Sequence, residues 1–458
     1  MPELAQPLPY QVQAVEHLKS ILPHEPGVVD ASQTGIGKTY IALFVCRHFN
    51  LRPLVVAPKA LLSNWERACG AVGVEPVMII NYDKIRMGKL PEFTYRKGKH
   101  WGDWNVPPGT MIIFDEAHRC RGRTTKNTKL LIAAREAAAN PNKRIRVMLL
   151  SATLAENCYQ MRSIGYSLGL FETPQVHFLP WCHMHGLIKG RFGLTPTKQD
   201  HWMKVINGYI FPKKGNRLKH SELEGFPETH ISAWDIPVAN PALVDKAWQE
   251  IQDLREADED RIEGELRAWL EDEHPEDEEF DPNKYGQGII EHLRDWQEAE
   301  LQKVPTMADM AIDLIHDGNN VPVFLNFFRC LREFTDRMKK AKVSHGLING
   351  DVKQQDRESM IDQFQRNKIN CLILQTTIGK EGIDLHDLHG RPRVSLISPN
   401  WSATDLTQVL GRIHRAGSLS KAVQRVCFAA KTKIERRIRK QVEAKLNNIA
   451  ALNDGDLR

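Results

Sequence analysis

Short runs of consecutive apolar residues, closed by polar residues or proline, recur along the chain with longer amphipathic stretches between them. In the first half they are Leu54-Val55-Val56-Ala57, Val77-Met78-Ile79-Ile80, Met111-Ile112-Ile113-Phe114 and Val147-Met148-Leu149-Leu150. In the second half they are residues 321–325, 343–348, 371–374 and 394–397. A run that is apolar at every position, rather than at alternate ones, suits a strand covered on both faces. Such strands belong to parallel sheets whose crossovers are helices. The pattern therefore predicts an α/β protein with two doubly wound parallel sheets. Residues 40–45, 330–340 and 357–364 read as helices, and Leu61-Leu62-Ser63-Asn64-Trp65 opens another. Residues 84–105 read as a loop and 154–210 as helical and loop material beside the first sheet. Residues 240–300 read as a charged helical protrusion broken at Pro275 and Pro282. The expected organisation is an N-terminal lobe with a helical protrusion over 1–212, a basic junction and acidic insert over 213–302, and a C-terminal lobe with a terminal helix over 303–458.

The chemistry concentrates where these runs end. Val28-Val29 leads into Ser32-Gln33-Thr34-Gly35-Ile36-Gly37-Lys38-Thr39 and then a helical stretch. Strand, glycine loop and helix together make a phosphate cradle. The glycines let backbone N–H groups approach phosphate oxygens, and the helix dipole points its positive end at the same anion. Lys38 would sit on the β- and γ-phosphates and Thr39 would ligate Mg2+, while Gly35 and Gly37 line the cradle. The strict pattern has glycine where this chain has Ser32. Gln11, in the helical stretch ahead of the loop, carries a carboxamide able to pair bidentately with an adenine edge. Met111–Phe114 delivers Asp115-Glu116-Ala117-His118 to its carboxyl end. Asp115 there would hold Mg2+ and Glu116 would orient and deprotonate an attacking water. The hydroxyls of Ser151-Ala152-Thr153 end the next run and could relay between the nucleotide and a second site.

The second half has no glycine loop of its own. It offers Gln408-Val409-Leu410-Gly411-Arg412-Ile413-His414-Arg415 instead. On a continuous helix, Gln408, Arg412 and Arg415 share one face. Arginines so placed reach a γ-phosphate or else make surface ion pairs.

Charge sharpens the picture. The net charge is +5, yet residues 250–282 hold sixteen acids against three arginines, so the rest of the chain is markedly basic. A basic body suits a polyanion partner. Basic and aromatic residues interleave in the 84–105 loop, including Trp101 and Trp104, as a nucleic-acid grip or as tryptophans turned inward. The eight cysteines are scattered with no C-x-x-C pair, which speaks for reduced thiols rather than a disulfide frame or zinc ribbon. Trp181-Cys182-His183-Met184-His185 reads as packing or loop. No apolar run has transmembrane length and the N-terminus lacks a basic-then-apolar leader pattern, so a cytoplasmic setting without membrane partners is expected.

Taken in order, these stretches resemble the motor core of superfamily 2 helicases, and most closely the Snf2-like translocases of double-stranded DNA. Gln11 corresponds to the Q motif, 32–39 to motif I, 55–65 to Ia, 115–118 to II, 151–153 to III, 323–327 to IV, 375–385 to V and 408–415 to VI. Pro58-Lys59-Ala60-Leu61-Leu62-Ser63-Asn64-Trp65 and Asn400-Trp401 before motif VI favour the Snf2-like group. The resemblance implies two RecA-like lobes, ATP and Mg2+ as cofactors, Gln408 at the nucleotide and a monomeric motor on duplex or branched DNA. Nucleic-acid contacts would come from Lys59 and Trp65, from Thr376, Thr377 and Lys380, and from Lys213 and Lys214 of the junction. Small proteins of this group occur in bacteria and phages. That implies fork reversal, branch migration, replication or repair, alongside other replication or recombination proteins. An RNA helicase, or a scaffold with a dead ATP site, is the alternative.

Overall fold

The computed structural model describes residues 4–95, 101–121, 125–156, 160–173, 176–185, 196–242, 287–379, 382–400 and 402–454. Two compact units emerge: residues 1–225 with 444–458, and residues 226–443.

The strands of the first unit are β1 (Gly27–Asp30), β2 (Arg52–Ala57), β3 (Met78–Asn81), β4 (Phe93–Tyr95), β5 (Gly102–Trp104), β6 (Thr110–Asp115), β7 (Arg146–Leu150) and β8 (Gly215–Asn216). Its helices are α1 (Pro9–Ile21), α2 (Lys38–Phe49), α3 (Leu62–Val72), α4 (Tyr82–Ile85), α5 (Lys126–Ala138), α6 (Met161–Ser167), α7 (Phe178–Met184) and α8 (Pro196–Ile210). Six strands form a wholly parallel sheet in the order β3-β2-β6-β7-β1-β8, and β4 and β5 make a separate antiparallel hairpin. The consecutive apolar runs have become strands buried along nearly their whole length. Register, more than composition, places the chemistry. Asp30 pairs with Leu150, and Leu150 with Asp115, so the loops leaving β1, β7 and β6 start in one row at the carboxyl edge. Ligands bind at that edge in open α/β sheets.

One expectation changes here. Residues 84–105 include α4, β4 and β5 rather than forming a loop throughout. Trp104 is buried between Phe93 and Phe114 and donates its indole N–H to Leu130 O at 2.9 Å. Trp101 packs against the same core, so both tryptophans turn inward; residues 96–100 lie outside the described residues. Trp181 and Cys182 are likewise core residues, with Trp181 against Phe171 and Trp202.

In the second unit the strands are β9 (Thr229–Ile236), β10 (Val321–Leu325), β11 (His345–Ile348), β12 (Cys371–Gln375), β13 (Val394–Ile397) and β14 (Ala422–Ala429). The helices are α9 (Gln287–His316), α10 (Phe328–Lys340), α11 (Gln354–Gln365), α12 (Thr376–Gly379), α13 (Ala403–Leu410) and α14 (Lys433–Asp454), the last continuing past Glu443 into residues of the first unit. The sheet is again parallel, in the order β11-β12-β10-β13-β14-β9. β9 falls within the stretch expected to be junction and insert. It escapes a search for apolar runs because it is an edge strand, mostly exposed, with polar residues at His230, Ser232 and Asp235. The acidic residues 243–286 lie outside the described residues.

A charged network is sealed at the carboxyl edge of this sheet. Lys303 of α9 donates to Glu435 Oε1 of α14 at 2.7 Å, to Ser398 Oγ at 2.8 Å and to Cys427 O at 3.2 Å. Glu300, one turn earlier, accepts from the backbone N–H of Asn326 and Phe327, which lead into α10. No described helix is long and apolar enough to cross a membrane.

Candidate active site

The phosphate loop is built as much from outside as from within. Gly35 and Gly37 have φ of 82° and 91°, in the left-handed region that glycine enters without strain. A Cβ on Gly37 would stand 2.5 Å from Gln11 Nε2, so close approach as well as backbone angle requires glycine there. Gln11 is buried; its Nε2 donates to Ile36 O at 2.9 Å and its Oε1 accepts from Leu8 N at 3.0 Å. Its carboxamide therefore braces the loop against the start of α1. Lys38, first residue of α2, donates to Ser32 O at 2.8 Å and Gln33 O at 3.3 Å across the loop mouth. Burial holds the ammonium below its ordinary pKa, while the carboxylates of Glu116, Asp30 and Asp115 oppose that shift.

Ser32, the departure from the strict pattern, centres a buried network. Its hydroxyl donates to Asp30 Oδ1 at 2.5 Å and accepts from Asn216 Nδ2 and Leu218 N, each at 3.1 Å. Gln33 Oε1 accepts from His220 N at 2.7 Å, His220 Nε2 pairs with Thr34 O at 2.7 Å, and Arg217 donates to Ala31 O. Sequence reading had no signal for residues 216–220 as a brace beyond their basic character.

The acidic pair sits at the end of β6. Asp115 Oδ2 accepts from Trp65 Nε1 at 2.8 Å, its Oδ1 accepts from Glu116 N at 3.0 Å, and its main-chain O accepts from Tyr82 Oη at 2.8 Å. Burial first, and Glu116 next, push the Asp115 carboxyl up to about 7, against the Trp65 N–H and the Lys38 charge. Glu116 has φ of 53°, a conformation unusual for a residue with a side chain. Its Oε2 lies 3.3 Å from His118 Nδ1, which is itself 3.2 Å from Ser151 Oγ. Ser151 Oγ donates on to Thr153 O at 2.7 Å, linking the β6 and β7 loops. A buried carboxylate at Asp115, within electrostatic reach of the Lys38 ammonium, suits a hard divalent cation carrying phosphates, and Thr39 follows Lys38 in the first turn of α2.

In the second unit the helix expected over 408–415 stops at Leu410, with Gly411 as its cap. Glycine is a poor helix former, and beyond it the Arg412 carbonyl accepts from Leu385 N at 2.9 Å instead of continuing the ladder. The three residues therefore do not share the face of one helix. Arg412 is buried, donating to Gln408 O at 2.8 Å and Ile383 O at 3.1 Å. Arg415 pairs with Asp384 Oδ1 at 2.9 Å. Both arginines are thus held by the turn 383–385. Gln408 is buried and its carboxamide has no partner among the described residues.

The expected nucleic-acid contacts divide. Lys59, Lys213 and Thr377 are exposed. Lys214 is ion-paired with Glu25, and Lys380 lies outside the described residues. Trp65 and Thr376 require correction. Trp65 is 1% exposed because it lies on the buried stripe of α3 with Ala68, Cys69 and Val72, and its N–H belongs to Asp115. Thr376 is buried and its hydroxyl donates to Leu325 O at 3.2 Å.

Residues 302–417 match the helicase conserved C-terminal domain family. L364 of Acanthamoeba polyphaga mimivirus, which carries the name of an ATP-dependent RNA helicase, is 30% identical over 479 residues, 98% of this chain and 84% of that one. The CHD3-type chromatin-remodeling factor CHR7 of Arabidopsis thaliana is 23% identical over 457 residues, 90% of this chain and 35% of CHR7. Among solved structures, S. cerevisiae Dbp5 bound to RNA and ADP BeF3 aligns with a TM-score of 0.53 at 13% identity, over 97% of this chain and 88% of that one. At that identity the likeness is one of fold. Two parallel-sheet lobes with a phosphate loop and acidic pair at one sheet edge define a helicase-type ATPase. Within that class the chain belongs to superfamily 2, as a Snf2-like helicase.

Proposed function

We propose that this chain is an ATP-driven motor on DNA, a translocase or helicase acting on duplex or branched molecules in fork remodelling, branch migration, replication or repair. The observation that carries the ATPase reading is the row of Asp30, Leu150 and Asp115, which starts the phosphate loop, the acidic turn and the Ser151 turn side by side. Lys38 and the N–H groups around Gly35 and Gly37 hold the phosphates. Thr39 and Asp115 hold Mg2+, which neutralises charge on phosphoryl oxygens when bound. Glu116 orients the attacking water and takes its proton. Gln408, Arg412 and Arg415 are assigned to nucleotide binding and hydrolysis, and exposed Lys59, Lys213 and Thr377 to the nucleic-acid backbone.

Turnover should vanish in Lys38→Ala while DNA binding persists. Arg415→Ala should bind nucleotide normally and hydrolyse it on the order of a thousandfold more slowly. The name carried by L364 favours a second reading, a motor on RNA. Steady-state ATPase measured with linear duplex DNA, a four-way junction, single-stranded DNA and RNA separates the two. Strongest stimulation by duplex or junction supports the DNA motor. Stimulation by RNA alone transfers the assignment to RNA, and no turnover with any of them would leave a binding scaffold.

A further inference from the structure

Asp115 is gripped from two helices that approach its strand separately. Trp65, in the first turns of α3, gives its indole N–H to the carboxylate oxygen Oδ2 at 2.8 Å. Tyr82, first residue of α4, gives its hydroxyl to the main-chain oxygen of the same residue at 2.8 Å. Both rings are 1% exposed, and the residue they hold is itself buried. With the Glu116 N–H on Oδ1, three donors fix one residue, two on the side chain and one on the main chain. Simple core packing would not call for this. A buried indole needs one acceptor, and any nearby carbonyl would serve. Here the acceptor is the carboxylate proposed to meet the metal, and each of its oxygens keeps a second lone-pair direction for a ligand.

We infer that Trp65 and Tyr82 are positioning residues for the metal-binding carboxylate. The indole N–H sets the rotamer of Asp115, and the tyrosine hydroxyl sets the backbone from which that rotamer projects. Ligand-orienting partners of this kind change metal affinity when they are removed. The inference rests on the ATPase reading above and adds two residues to it, one of which sequence reasoning had assigned to nucleic acid.

The test uses the full chain and a fluorescent ADP, with nucleotide binding followed in EDTA and across a Mg2+ titration. Trp65→Phe keeps a ring in the core and loses only the N–H donor and part of the indole. Tyr82→Phe loses one oxygen. Both variants should bind ADP in EDTA as the parent does. The Mg2+ concentration giving half of the metal-dependent gain in affinity should rise about tenfold in Trp65→Phe and less in Tyr82→Phe. A merely structural role would lower the melting temperature and leave the Mg2+ midpoint where it was; that result in both variants overturns the inference. If Trp65→Phe does not fold, an unchanged midpoint in Tyr82→Phe overturns it alone. A parent chain whose ADP binding ignores Mg2+ would count against the ATPase reading itself.

Discussion

A serine where a strict phosphate loop has glycine looks like a weakening of the motif, and the surroundings of Ser32 show why it is not. Its hydroxyl, which a glycine could not supply, joins Asp30, Asn216 and Leu218. Ser32→Ala should leave buried donors from Asn216 and Leu218 with fewer acceptors, at a cost of about 1–3 kcal/mol in urea unfolding. An unchanged midpoint would mean that the network contributes nothing. Glu116→Gln should keep ATP binding and slow hydrolysis by about 100-fold or more, as loss of a general base does. At this scale Lys38, Thr39, Asp115 and Glu116 stood out because phosphate and metal chemistry fix residue type and spacing, and the structure puts Lys38 and Thr39 at the start of α2 and Asp115 at the end of β6. The role of Trp65 was not legible, because Asn64-Trp65-Glu66 reads the same whether the indole faces solvent or a carboxylate. Gln11 was expected to pair with an adenine edge, and in the structure its carboxamide is committed to Ile36 O and Leu8 N.

At the scale of elements, the sheets could be read from their apolar runs, while the strands without such runs could not. β8 has two residues and β9 has one buried position, so neither leaves a pattern. The end of α13 at Leu410 was equally hidden. The spacing of Gln408, Arg412 and Arg415 is compatible with a helix, and only the competing bond from Leu385 reveals the turn. α9, α14 and the sheet edge meet at Lys303 and Glu435, both fully buried. Burial raises the Glu435 pKa and Lys303 opposes it, as in a pair that must be kept whole. Lys303→Met alone should destabilise the second unit by about 3–5 kcal/mol, because it strands a buried carboxylate. Adding Glu435→Leu should recover most of that loss. Chemical denaturation of the single and double variants measures both, and a double variant no better than the single would refute the pairing argument.

For the whole molecule, the pH dependence of stability has opposing sources. His386 and His414 are both held below the ordinary histidine pKa, chiefly by burial. At these two sites the unfolded chain binds protons first, so their contribution to stability is lost as pH drops through about 6.5. Asp115, its carboxyl pushed up to about 7, works the other way, because there the folded chain binds the proton first. Between pH 7.5 and 5.5, acidification should therefore cost His414→Gln less melting temperature than it costs the parent. An identical slope in the variant would exclude His414 as a source. Nucleic-acid affinity, dominated by backbone contacts, should fall steeply with salt whichever polymer is preferred.

The eight-residue ladder between β9 and β14 joins positions 193 apart, Thr229 and Ala422. On a ribosome, this edge of the second sheet must wait until Ala422–Ala429 has been made. Until then β9 offers an unpaired backbone with Ile231 and Trp234 outward, a sticky stretch during the very interval when nascent chains crowd together.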